Sequence, residues 1–495
     1  MAFVGIDLGT TNSLIAVYDG TGARLLPNAL GEVMTPSAVG LADDGKTLLV
    51  GKAARLRLLR HPLLTAARFK RLMGTDKVVR LGRRSFTATD LSAALLAQLR
   101  RDAEAALGEP VSDVVISVPA YFNARQRQAT KDAAEIAGLR VSRLINEPTA
   151  AALAAGVNDR DDESLFVVLD LGGGTFDVSI LEMFEGVMEV RASSGDAFLG
   201  GEDFTAAIAR DLARQTGHEW AGLGDAAREK LLVTAEDFKR RLSSDTGAAV
   251  EAVIDLDGAE HRLSFSAAQF ETATSDLVTR LRRPIEASLY DSGIDIDRID
   301  RVLLVGGATR MPVIRSLVAR IFRKLPERRV DPDHAIALGA AVQAALIGRH
   351  EGLRDVVLTD VAPFSMGIMS HNNIAGRQIA DAFTPLIERG TILPASRNGY
   401  FSTTADGQKM IAVEIFQGEA AFAADNIHLG SMKVPVPPGP AGKEGIEVRF
   451  TYDVSGLLAV DVTVQSSGQV HSDLIENLAE ALPPAEKARR LKEME

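Results

Sequence analysis

Gly5-Ile6-Asp7-Leu8-Gly9-Thr10-Thr11 and Val168-Leu169-Asp170-Leu171-Gly172-Gly173-Gly174-Thr175 decide the fold. Each is an apolar run closed by an aspartate and then by a turn of small residues. Asp7 maps onto Asp170 and Gly9 onto Gly172, an offset of 163 residues. Two copies of one unit predict a duplicated α/β lobe with a cleft between the copies. Around them FVGIDL (3–8), DVVISVPAYF (113–122), LFVVLDL (165–171) and RVLLVGG (301–307) read as buried strands. Segments 91–107, 124–138, 205–215 and 312–323 read as helices. The alternation is an α/β pattern.

The small-residue turns carry the chemistry. A polyphosphate is held by backbone N–H groups at close range, and glycine lets the chain come that near. Both copies supply such a turn, with Thr10, Thr11 and Thr175 as hydroxyl donors. A third follows the strand before Gly306-Gly307-Ala308-Thr309-Arg310, and a fourth is Gly200-Gly201-Glu202-Asp203. Asp7 and Asp170, at strand ends, suit a hydrated Mg²⁺, which prefers carboxylates and water. The stretch GLADDGKT (40–47) matches a P-loop in spacing. Its two aspartates would repel phosphate and a strand-like LLVG follows, so it reads as a hairpin.

Composition sets the frame. At 495 residues the chain exceeds a single core. Hydrophobic residues at 46% supply sizeable cores without staples. With no cysteine, disulfides and thiolate metal sites are excluded, and a reducing, cytoplasmic setting is expected. A net charge of −11 argues against nucleic acid or an anionic membrane as partner. No run approaches the ~18 apolar residues of a membrane helix. The start, MAFVGIDLGT, lacks a basic region, so no signal peptide is expected. The eight histidines have no helical ligand spacing, and no zinc site is expected.

From residue 353 the character changes. Ile411, Val413 and Ile415; Ile446, Val448, Phe450 and Tyr452; and Leu458, Val460, Val462 and Val464 alternate with polar neighbours. This predicts an antiparallel β domain with one face buried. Between the halves GLRDVVLTDVAP (352–363) is extended and apolar on one side. It reads equally as a docked strand or a plain connector. The last stretch, PPAEKARRLKEME (483–495), is charged and helix-prone.

DLGTTNS (7–13), INEPTAAAL (145–153), DLGGGTFDVS (170–179) and VGGATRMP (305–312) resemble the DnaK-type, heat-shock-protein-70 chaperones, and the likeness runs from residue 2 to about 471. VVLTDVAPFSMGI (356–368) and PLIERGTILPASR (385–397) are most similar to the HscC branch. The resemblance implies an actin-like, two-lobe ATPase domain at 1–352 and an interdomain linker at 353–361. An antiparallel β-sandwich peptide-binding domain would follow at 362–471, and the start of a helical lid at 472–495, with the rest of the lid missing. The implied activity is ATP hydrolysis that controls binding of unfolded or extended polypeptide. ATP or ADP with Mg²⁺ would be the cofactors and a J-domain co-chaperone the partner. The hairpin between Leu242 and Phe270 is shorter than the housekeeping pattern, which counts against dependence on a nucleotide-exchange factor.

The resemblance also implies residue roles. Thr10, Thr11, Asn12, Gly172, Gly173, Gly174, Thr175, Gly200 and Gly201 would hold phosphates. Asp7, Asp170 and Asp177 would organise Mg²⁺ through water. Lys70, Glu147, Thr175 and Asp170 would carry hydrolysis. Glu236, Lys239, Arg240 and Ser243 would sandwich the adenosine with Gly306, Gly307, Arg310 and Asp333. Pro119, Arg127, Arg143, Leu358 and Asp360 would couple the domains, with Arg143 or Arg127 pairing Asp360. Ile368, Phe401, Ile411 and Val413 would line the peptide pocket, under an arch of His371 and Thr404 that is more polar than usual. Taken alone, Lys70 beside Arg68 and Arg71 reads as one face of a solvated basic run, and the four apolar residues as plain sandwich core. A small-molecule kinase on the same fold is the alternative function. The β domain and DVVLTD argue against it. A filament-forming actin relative and an ATP sensor without turnover are further readings.

Overall fold

The structure, a computed structural model, describes residues 2–156, 163–244, 249–256, 258–327, 331–349, 357–374, 377–474 and 483–494. The two sequence copies open two sheets of the same design. In the first, Ala2–Asp7 hairpins onto Asn12–Tyr18 and runs parallel to Val111–Val118, with Arg140–Asn146 beyond. In the second, Ser164–Leu171 hairpins onto Phe176–Phe184 and runs parallel to Arg301–Val305, with Val187–Asp196 on the other side. Asp7 and Asp170 therefore end equivalent strands, and their turns point into one cleft. This is the actin-like architecture.

The helices expected from 124 and 312 start there, at Ala124 and Pro312, whereas two others start earlier than periodicity alone predicts, because caps add a turn. The helix expected from 91 begins at Ala88. Thr87 N–H donates to Asp90 at 2.8 Å and Asp90 N–H donates back to Thr87 Oγ1 at 3.2 Å, a reciprocal cap. The helix expected from 205 begins at Gly201, where Gly200 N–H donates to Asp203 at 2.8 Å. The fourth glycine turn is thus a helix N-terminus, a natural place for an anion.

The two lobes meet on helices Glu147–Gly156 and Ala335–Ile347, which share one core with Val115 and Ile145 of the first sheet and Val168 and Val305 of the second. A Cβ on Gly5 would overlap the Ala340–Ala341 backbone, and one on Gly339 would overlap the Ala150 carbonyl of helix Glu147–Gly156. Backbones this close leave no room for a methyl group. Gly339→Ala is expected to destabilise the chain by about 2–3 kcal/mol, read as a lower urea midpoint at unchanged slope.

The segment GLADDGKT is a hairpin: Ala38–Leu41 pairs antiparallel with Leu48–Val50. Asp44 accepts from the N–H groups of Lys46 and Thr47 at 2.8 and 2.9 Å, and Gly45 has φ +66°.

In the C-terminal half, Arg377–Ile387, Met366–Ile374, Met410–Gln417 and Ile427–Pro435 form one sheet. Ala395–Ser402, Gly445–Tyr452, Leu458–Val464 and Val470–Leu474 form the other. The alternating residues Ile446, Val448, Phe450, Tyr452, Val460 and Val462 are fully buried between them, as the period of two requires. Val357–Val361 is a docked strand, parallel to Val187–Asp196 and antiparallel to Ile392–Leu393. Residues 350–356, with the expected domain boundary at 352–353, lie outside the described residues. Helix Pro484–Met494 rests on the first lobe, where Lys487 meets Asp132 and Glu135 at 2.6 Å and Arg490 meets Asp90 at 2.8 Å. No helix among the described residues is long and apolar enough to cross a membrane.

Candidate functional site

A cavity of about 470 Å³ lies between the lobes. Its walls bring together Asp7, Thr10, Thr11, Asn12, Lys70, Glu147, Asp170, Gly172, Gly173 and Thr175 with Gly201, Glu236, Lys239, Arg240, Ser243, Gly306, Gly307, Arg310 and Asp333. Three expected residues stand just behind the wall. Gly174 and Gly200 are glycine by necessity: a Cβ on Gly174 would lie 2.8 Å from Thr10 Oγ1, and one on Gly200 2.5 Å from the Gly173 backbone. Asp177 is fully buried opposite Asp170 and accepts from Tyr121 N–H at 3.0 Å. The glycine turns are tied together, since Gly201 and Glu202 N–H donate to the Gly172 and Gly173 carbonyls at 2.8 Å.

The carboxylates of this site are crowded and buried. Burial, reinforced by Glu147, pushes Asp7 up to about 7 and Asp170 well above the carboxylate range. Burial and Glu147 push Asp177 to about 8. Asp170 Oδ2 and Asp177 Oδ2 are buried without a hydrogen-bond partner. A set of hard oxygens beside main-chain N–H turns fits hydrated Mg²⁺ on a polyphosphate. Lys70 is 5% exposed and its Nζ donates to Glu147 at 2.7 Å, with the ammonium 5.5 Å from the Phe122 ring centroid. The solvated-run reading of Lys70 is therefore wrong: its turn, Phe69–Leu72, points inward.

On the opposite wall, burial works against the charge of Glu236, yet Lys239 at 2.7 Å holds its carboxyl at about 2. Lys239 Nζ also donates to the Gly201 carbonyl and Thr205 at 2.8 Å, so this lysine fastens the wall from within. Ser243 Oγ donates to the Lys239 carbonyl at 2.7 Å. Arg310 is paired with Asp333 at 2.7 Å and Asp331 at 2.9 Å. Met34, Met311, Arg315, Pro332 and Ile336 also line the cavity and were not foreseen. Met311 lies in the VGGATRMP stretch, and the other four are single residues on loops and helix faces with no motif of their own.

Behind the cavity a polar relay leads to the sandwich. Pro119 is buried, and its loop is gripped by Arg127, which donates to the Ala120 and Phe122 carbonyls at 3.0 and 3.1 Å. Arg127 also donates to Asn146 Oδ1 at 2.7 Å and to the Ser455 carbonyl at 3.4 Å. Asn146 Nδ2 donates to Asp360 at 2.6 Å, with Thr149 at 3.4 Å. This corrects the expected pairing: Asn146, not Arg127 or Arg143, holds Asp360. Arg143 donates to Gln343 at 3.3 Å instead. Leu358 packs, half-buried, on the core of the second sheet. Gln417 Oε1 accepts from Ala124 N–H at 3.1 Å, and Arg389 meets Asp291 at 2.9 Å, both joining sandwich to lobes. Gln417 and Ser455 were missed, because single uncharged polar residues carry no sequence signal; Asn146 lies in INEPTAAAL, but its role as the partner of Asp360 was not read from it.

In the sandwich, Ile368, Ile411 and Val413 are buried in the core, Phe401 packs half-buried against it, and His371 and Thr404 are exposed. A Cβ on Gly399 would lie 2.8 Å from Phe401, so this glycine makes room for the ring.

The family model described as Hsp70 protein matches residues 3–495. With duplicated lobes around a phosphate-type cleft and a β-sandwich docked through one strand, the chain belongs to the Hsp70 family of ATP-binding chaperones.

Proposed function

We propose that this chaperone hydrolyses ATP in the interlobe cavity and uses the nucleotide to control binding of extended polypeptide in the sandwich. One observation carries the reading. Asn146 and Glu147 are consecutive, and Glu147 holds Lys70 in the cleft while Asn146 holds Asp360 of the docked strand. A change at the phosphates is thus one peptide bond from the linker. Asp7, Asp170 and Asp177 would hold Mg²⁺ through water, which neutralises phosphate charge when bound. Lys70 supplies a second positive charge at a fixed place, Glu147 orients the attacking water and can take its proton, and the glycine turns position the phosphates. Such transfer to water is mostly positioning and charge neutralisation. Thr175 and the two threonines of the first turn contribute hydroxyls. Ile368, Phe401, Ile411 and Val413 would receive an apolar side chain of the peptide beneath His371 and Thr404. A J-domain co-chaperone and a place in the HscC branch are part of the same reading, supported by residues 356–368 and 385–397. The test is fluorescence anisotropy of labelled peptides: affinity should be lower with ATP than with ADP. Equal affinity in both would leave two unconnected domains.

The docked strand should also respond to pH. Burial raises the Asp360 carboxyl above its ordinary range, against the pull of nearby Arg127 and Arg143 and the hydrogen bond from Asn146. The docked form therefore holds this proton more tightly than the undocked one. Docking is fully favoured below the ordinary carboxylate value and weakens as pH rises through the raised value. Proteolytic protection of residues 357–361 should increase as pH falls through the raised Asp360 value towards the ordinary carboxylate range, and Asp360→Asn should flatten that profile. An unchanged profile in Asp360→Asn would remove Asp360 as the cause.

A further inference from the structure

Arg68 stands two residues from Lys70 and takes no part in the chemistry above. Its φ is +63°, a left-handed conformation that a side chain other than glycine rarely adopts. Such a conformation persists only where the surroundings hold it. Its side chain reaches across the cleft. Nε donates to Glu202 at 2.7 Å, and the two terminal nitrogens donate to the two oxygens of Glu229 at 3.2 Å each. Glu202 belongs to helix Gly201–Gln215, which caps the phosphate turn. Glu229 belongs to helix Asp225–Ser244, which carries Glu236, Lys239, Arg240 and Ser243. All three side chains are largely shielded from water, at 24%, 10% and 14% exposed. Arg71, on the other side of Lys70, repeats the contact, donating to the Phe198 carbonyl at 3.0 Å and to Asp203 at 3.1 Å.

We propose that Arg68 is a latch across the nucleotide cleft that sets how long a nucleotide stays bound. This rests on the nucleotide reading above. The cavity has one wall from each lobe, so release requires the walls to part, and parting them breaks the fork on Glu229 and the bond to Glu202 together. Lys70 does not depend on this fork. Its anchors, Glu147 and Phe122, lie in its own lobe. Release and chemistry should therefore separate on mutation.

The experiment is stopped-flow dissociation of a fluorescent ADP analogue beside single-turnover ATP hydrolysis. Arg68→Gly removes the side chain and suits the left-handed backbone, and Glu229→Gln removes only the partner charge. Each is expected to speed release about tenfold or more, since losing one partner of a shielded charge pair acts on the off-rate. Hydrolysis should stay within about threefold of the unmodified rate. Arg68→Lys should fall between, because an ammonium cannot engage both oxygens of Glu229 as a planar fork does. Added salt should speed release in the unmodified chain more than in Arg68→Gly. Release rates equal to those of the unmodified chain in both variants would overturn the latch alone. A hydrolysis loss as large as the gain in release would also overturn it, leaving Arg68 a part of the fold. An unmodified chain that binds no ADP analogue would overturn the nucleotide reading and the latch with it.

Discussion

Lys70→Ala is expected to lower single-turnover ATP hydrolysis by on the order of 10²-fold or more while ATP still binds, as befits loss of a positioned charge in a closed site. Binding survives because the phosphates would be held by many main-chain groups, from Thr10 to Asn12, Gly172 to Thr175, and Gly201. The charge is lost where it counts. Lys70 is the cation paired with Glu147 at 2.7 Å, inside a ring of carboxylates that already sit above their usual range. Lys70→Arg should not restore the rate, since a wider guanidinium does not fit a pocket shaped for a point charge between Glu147 and the Phe122 ring. A melting scan of the nucleotide-free variants separates this from unfolding. Removing one member of a buried pair can cost about 3–5 kcal/mol by itself. Wild-type single-turnover rates in folded Lys70→Ala would remove Lys70 from the mechanism.

Leu358→Asp is expected to abolish the mutual effect of ATP and peptide while leaving hydrolysis and peptide binding nearly intact when each is measured alone. The strand Val357–Val361 pairs with Val187–Glu189, and Leu358 packs on the core of that sheet. A carboxylate there meets apolar side chains and would hold the strand off the sheet. Asn146→Asp should act the same way from the other side, by placing a second carboxylate 2.6 Å from Asp360. Asp360→Asn should be milder, because its side-chain oxygen can still accept from Asn146. Coupling of about 1–3 kcal/mol is typical, and it is reciprocal, so peptide must weaken ATP by the same factor that ATP weakens peptide. Peptide affinity with and without ATP, in a Thr175→Ala background, measures it. A Leu358→Asp chain with full coupling would place the communication elsewhere, with Arg389–Asp291, Gln417–Ala124 and Arg127–Ser455 among the other bridges of the described residues.

How much of this was legible depends on the range of the interaction. The paired motifs at Asp7 and Asp170, the four glycine turns and the period-two strands of the second half are local patterns. Each follows from which backbone angles a residue permits and which face must leave water. The sequence alone therefore determined two equivalent strands ending in aspartates, glycine turns beside them, and a β domain after them. It also rejected GLADDGKT as a phosphate loop, since two aspartates repel phosphate wherever the chain goes. Helix starts at Ala88 and Gly201 were misplaced by a few residues because a cap is a side-chain bond, not a periodicity.

Only the tertiary structure decided what each charge faces. Arg68, Lys70 and Arg71 are three cations within four positions, and apart from the resemblance, which singles out Lys70, nothing local in the sequence separates them. In the fold, Lys70 meets Glu147 in its own lobe, while Arg68 and Arg71 meet Glu202, Glu229 and Asp203 in the other. Asp360 was expected to find an arginine and found Asn146, 214 positions away. An ion pair is chosen by which surfaces the folded chain brings within a few ångströms. That choice depends on the packing of both lobes against helix Ala335–Ile347, which no stretch of sequence contains.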